Sequence, residues 1–155
     1  MSLTPAQELA ALKAERAALA NARDARNAES KVAEEIAEQR RLLAFEQAVV
    51  EAEEKHGALN RKIGVVHFRR ADGSVAGSAI LKRPNHQIYR RFQLTDTKGD
   101  AAKSAEIDKL IAHCLVWPEL AQFETLLEEY PGAAGALLNT IALLSGAGAE
   151  ETAGK

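Results

Sequence analysis

The chain holds one cysteine, Cys114, among its 155 residues, so no intramolecular disulfide can form and a reducing compartment is expected. Its first residues, Met-Ser-Leu-Thr-Pro, lack the basic and apolar regions of a secretory signal. No apolar run approaches the ~20 residues that a membrane-spanning helix needs. These absences lead to the expectation of a soluble, cytoplasmic protein with no membrane association. Signatures of chemistry are missing as well. Histidines at positions 56, 67, 86 and 113 form no HxxxH or HExxH pair. His113 and Cys114 are neighbours, which on a helix point about 100° apart and not at one metal. Cys114 lies on an apolar stripe and reads as a small buried hydrophobe, not a nucleophile. The glycines match neither GxxxxGK nor GxGxxG. Carboxylates such as Glu128 and Glu129 sit on predicted helix surfaces without a partner for acid–base work. No catalytic residue, metal ligand or cofactor is therefore nominated, and an enzyme is not expected.

Glycine is absent from Pro5 to His56, and no proline follows Pro5 in that stretch. What fills it is Ala, Glu, Gln, Arg and Leu, the strongest helix formers. Thr4 reads as the N-cap, Pro5 as the first helical residue and Gln7 as the closing member of a capping box, with Gly57 as the C-terminal stop. Such a helix would run about 75–80 Å. Its apolar stripe is thin: Leu9, Leu12 and Leu19 form one seam, and Val32, Ile36, Leu43 and Val50 a second, in a different register. Arg23, Asp24, Arg26 and Asn27 interrupt between them, so a turn or stutter is expected over residues 21–30. A lone helix of this length is poorly stabilised. The segment 1–60 is accordingly expected to form a coiled coil or helical hairpin, with the two seams as its partner-binding residues.

The second half reads as a small β-hairpin plus three or four helices over residues 61–146, followed by a disordered tail, 147–155, making the fold mainly α. "KIGVVHFRR" and "SVAGSAILK" flank Ala71-Asp72-Gly73, a hairpin signal. Alternation puts Val66 and Phe68 on one face, with Val65 and His67 on the other. Pro84 is expected to open a helix to about Leu94, with Ile88, Tyr89 and Phe92 inward. Thr95 to Gly99 reads as a polar loop and Asp100 as the cap of a helix carrying Ile107, Leu110, Ile111 and Cys114. Trp117-Pro118 interrupts. A third helix carries Leu120, Phe123, Leu126 and Leu127, and a fourth runs from about Ala133 to Leu144. Phe68, Tyr89, Phe92, Trp117 and Phe123 are the expected core anchors.

Charge is unevenly placed. Residues 1–60 carry 8 basic and 11 acidic side chains, residues 61–91 carry 8 basic and 1 acidic, and residues 92–155 carry 4 basic and 10 acidic. Lys82, Arg83, Arg90 and Arg91 form the densest basic surface. With Tyr89 and Phe92 they could hold phosphates and stack bases. The three-residue spacing of the two rings is instead that of a core-facing stripe, and the acidic helix with Glu119, Glu124, Glu128 and Glu129 offers counter-charge within the chain. Nucleic acid is thus the lesser expectation, and a protein partner the greater.

Four motifs in order carry a resemblance: Lys82-Arg83-Pro84; Tyr89-Arg90-Arg91-Phe92; Cys114-Leu115-Val116-Trp117-Pro118; and Phe123-Glu124-Thr125-Leu126-Leu127 before Pro131. Together, over about residues 64–146, they resemble phage tail assembly proteins of the tail assembly chaperone type. The long N-terminal helix departs from that family. The resemblance implies a non-enzymatic chaperone or adaptor acting in the host cytoplasm, with a helical partner such as the tape-measure protein or another tail protein. Two further roles stay open beside it. One is a permanent component of the virion or tail-like particle, and the other is self-association through the N-terminal helix.

Overall fold

The computed structural model describes residues 2–95 and 99–146. The expected tail, 147–155, and the middle of the expected polar loop lie outside the described residues. Eight elements follow in order: α1 (Pro5–His56), β1 (Ile63–Arg69), β2 (Val75–Lys82), α2 (His86–Leu94), α3 (Asp100–Cys114), β3 (Leu115–Trp117), α4 (Leu120–Glu129) and α5 (Ala133–Leu144). The protein is mainly helical, with a long N-terminal helix followed by a small sheet and further helices. The chain divides into two units, residues 1–44 and residues 45–155.

The first unit is helix from Pro5 onward. Its start is the expected capping box: the Thr4 N–H donates to Gln7 Oε1 at 3.0 Å, and the Gln7 N–H donates to Thr4 Oγ1 at 3.4 Å. Of the turn or stutter expected over residues 21–30, the turn is absent, because α1 continues through them. The polar run breaks the apolar stripe without breaking the backbone, since Ala, Arg and Asn offer no missing N–H or ring clash to stop a helix.

The second unit opens with the last turns of α1, whereas the expected segment 1–60 took in the whole helix. The Gly57 N–H closes α1 on Glu53 O at 2.9 Å. The hairpin forms where expected. Ile63 pairs with Lys82, Val66 with Ala79 and Phe68 with Gly77. At its turn Gly73 takes φ 84°, a left-handed conformation that glycine adopts without penalty, and Asp72 Oδ1 accepts from the Ser74 N–H at 2.9 Å. A third strand was not anticipated. Leu115–Trp117, directly after α3, pairs antiparallel with β2 to give the order β1-β2-β3.

Both faces of this sheet are covered, as period-2 alternation requires. Val66, Phe68, Ala79 and Leu81 face α3, α4 and α5, packing with Leu110, Ile111, Cys114, Phe123, Leu137, Ile141 and Leu144. Ile63 and Ile80 face the end of α1, where Ala48 and Ala52 are buried and Phe45 and Val49 pack beside Val65, Val116 and Trp117. Alanines one turn apart let the helix lie close on the strands.

Three local expectations change. Pro84 is buried but precedes α2, which starts at His86 behind an Asn85 cap whose Oδ1 accepts from the Gln87 N–H at 2.9 Å. At the cap the Asn85 side chain supplies an acceptor for a first-turn N–H, which Arg83 could not offer to a helix starting at Pro84. Gly99, not Asp100, occupies the cap position of α3, leaving Asp100 in the first turn where its charge suits the helix dipole. Leu120 is exposed at the start of α4, while Phe123 is buried.

Candidate functional site

Within the first unit the nominated seam stands open. Leu9, Leu12, Leu19, Val32, Ile36 and Leu43 are between 48% and 71% exposed, and Leu42, which was not nominated, is 46% exposed. Because the helix does not turn back, the two seams keep separate directions. At about 100° per residue, Leu9, Leu12 and Leu19 span an arc of roughly 80°, and Val32, Ile36 and Leu43 an arc of roughly 40° whose centre lies roughly 150° away. A single straight partner helix reaches one seam at a time. On the second, Val32, Ile36 and Leu43 line a shallow apolar face with Glu35, Gln39 and Arg40 at its edges. On the first, Leu19 gives way to Arg23, Asp24 and Asn27.

Val50, the last nominated seam residue, belongs to the second unit. It is exposed there and lines a shallow cleft with Phe45, Val49, Leu59, Val65 and His67. The Phe45 ring meets His67 edge-on at 5.8 Å and tilts against Trp117 at 5.8 Å. His67 Nδ1 lies 2.7 Å from Ser78 Oγ. Burial first, and Arg69 second, hold its imidazole below the ordinary histidine range. This cleft escaped sequence reasoning. Its available signal was Ala79-Ile80-Leu81, a continuous apolar run within β2 that requires cover on both sheet faces.

The basic segment 61–91 does not gather into one patch. At the turn end of the hairpin, Arg69 donates to Gly73 O at 3.0 Å, and Arg70 donates to Ser74 Oγ at 3.2 Å and Val75 O at 3.3 Å. At the other end, Lys82 is half-buried on β2, where its charge adds to burial in lowering the His56 and His113 pKa values. Arg83, Arg90 and Arg91 are exposed. Among the described residues none of the three forms an ion pair with Glu119, Glu124, Glu128 or Glu129, so the expected counter-charge is not in place. Tyr89 and Phe92 pack against the main core, their centroids 6.2 Å apart. The remaining anchors divide between the two faces: Phe68 meets Phe123 edge-on at 6.1 Å in the main core, while Trp117 belongs to the cluster under α1.

Cys114 is fully buried, and burial pushes its thiol up to about 12, so it is held as the thiol. Among the described residues no three His, Cys, Asp or Glu side chains converge as metal ligands, and no helix is long and apolar enough to cross a membrane. Among the described residues, the seam of α1 stands out as an exposed apolar surface. No protein-family model, curated protein or solved structure matches the chain.

Proposed function

We propose that the protein is an assembly chaperone or adaptor for a phage tail or tail-like particle, holding a helical partner such as the tape-measure protein on the N-terminal part of α1. The observation that carries this reading is the row of exposed leucines, Leu9, Leu12 and Leu19, on a stretch of helix that no described residue covers. Large aliphatics repeated along one helical face are the anchors by which amphipathic helices recognise one another. The four motifs over residues 82–131 supply the link to tail assembly. Tyr89 and Phe92 are half-buried against the main core, which limits the ring surface on which bases could stack and favours a protein partner over nucleic acid.

The test is co-expression with the tape-measure protein encoded by the same particle, followed by capture on a tag carried by this chain. Co-purification is expected, with loss in a Leu9→Asp/Leu12→Asp/Leu19→Asp variant and retention in Arg90→Glu/Arg91→Glu. Capture of nothing by the intact chain, or equal capture by the seam variant, defeats the proposal. Finding the chain in purified mature particles would instead make it a permanent component.

A further inference from the structure

We propose that the second seam, Val32 to Leu43, is covered by a second copy of this chain in a parallel, in-register two-helix pair. Ile36 and Leu43 are seven residues apart, as are Val32 and Gln39, and the two sets alternate at intervals of four and three. That is the a/d pattern of a coiled coil, with Ile36 and Leu43 at a, and Val32 and Gln39 at d. All three apolar members are about half exposed.

Charge selects the occupant and its direction. In this frame Glu35 stands at position g and Arg40 at position e, each bordering the apolar face. In a parallel pair, g of one helix lies beside the e position five residues further along its partner. Glu35 of each copy then meets Arg40 of the other, twice by symmetry. An antiparallel pair brings g to g and e to e, setting Glu35 near Leu42 and Arg40 near Ala33, with no charge compensated. Among the described residues neither Glu35 nor Arg40 has an ion pair within the chain, so both are available. Gln39 at a d position is a polar layer that is best satisfied by Gln39 of an in-register copy, and such layers fix register at a cost in stability. The inference names one occupant within the proposal that α1 is a docking helix, and leaves Leu9, Leu12 and Leu19, on a different side, for the assembly partner.

The test uses the full chain and reads mass by light scattering across a concentration series. The intact protein should run at twice 16.7 kDa. Glu35→Arg alone and Arg40→Glu alone each place like charges together, so each should dissociate at least about tenfold more readily. Mixing the two variants in equal amounts should restore the dimer. In a parallel heteropair the introduced arginine of one chain meets the introduced glutamate of the other, and the unaltered Glu35 meets the unaltered Arg40. Both sites are exposed on a helix surface, and circular dichroism checks that helicity is kept. Gln39→Cys should cross-link to itself under mild oxidation. A monomeric chain, a mixture that fails to recover, or a dimer that Gln39→Cys cannot cross-link overturns the proposal. A monomer that still captures the tape-measure protein sinks the homodimer alone; a dimer that captures nothing sinks the assembly reading alone.

Discussion

Cutting the chain at two places sixteen residues apart should give fragments of very different stability. Fragment 45–155 keeps every residue of both hydrophobic clusters, whereas fragment 61–155 loses Phe45, Ala48, Val49 and Ala52 from the cluster under α1. Ile63 and Ile80 are fully buried in that cluster. Burying an isoleucine side chain contributes about 1.5–3 kcal/mol, so uncovering the pair costs roughly 3–6 kcal/mol before Val65, Val116 and Trp117 are counted. A domain of this size has about 5–15 kcal/mol in total. Urea unfolding followed by the fluorescence of Trp117, the single tryptophan, reads the loss at its source. Fragment 45–155 should unfold cooperatively from a state with buried-type emission. Fragment 61–155 should show red-shifted emission and either no cooperative transition or a stability lower by several kcal/mol. If the two fragments agree to within about 1 kcal/mol, the end of α1 is not part of the domain's core and the reasoning is wrong.

Further outcomes follow from single sites. His56, His67 and His113 are all held below the ordinary histidine range, each chiefly by burial. The unfolded chain therefore binds more protons as pH drops below about 6.5. Stability should be full above that pH and decline as pH falls through the folded values; a urea midpoint unchanged between pH 8 and pH 5 would contradict this. Cys114, with its thiol near 12, should react with a disulfide reagent at pH 8 only after unfolding, and rapid labelling of the native chain would show the site to be open. A Cβ at Gly64 would lie 2.5 Å from Thr140 Cγ2 and 3.3 Å from Leu144 Cδ1, so Gly64→Val should cost roughly 1–3 kcal/mol in urea unfolding. Gly135, in α5 with open space around it, should instead gain about 0.5–1 kcal/mol on Gly135→Ala.

Where one local signal decides structure, the sequence could be read. The limits of α1 rest on a capping box, the absence of internal breakers and Gly57, and the hairpin rests on Asp72-Gly73 between alternating strands. What escaped was decided by tertiary partners. Leu115–Trp117 is three residues long and follows α3 with no intervening turn, so it becomes a strand only because β2 presents a free edge. Ala48 and Ala52 look like every other alanine of an alanine-rich helix. They are buried because Ile63 and Ile80 need cover. The seam residues themselves were legible from spacing, but their division into two directions depended on whether residues 21–30 turned.

Every described residue of α1 in the first unit is exposed, its large aliphatics included, and that exposure is the strongest argument about its use. In the second unit, alanines are buried and the sheet supplies the bulk. In the first, Leu9, Leu12, Leu19, Val32, Ile36 and Leu43 are exposed while alanines fill the spaces around them. A helix needed only as a solvated spacer gains nothing from half-exposed leucine over glutamate or lysine, which have similar helix propensity and greater solubility. Propensity alone therefore accounts for the helix, but not for its large aliphatics. Their grouping into two short seams on different sides argues further against one continuous rod-to-rod pairing, which would keep a single register throughout. Two occupants of different direction satisfy both observations. Aspartate substitutions at Leu12 and at Ile36 should therefore abolish different associations, rather than weaken the same one by degrees.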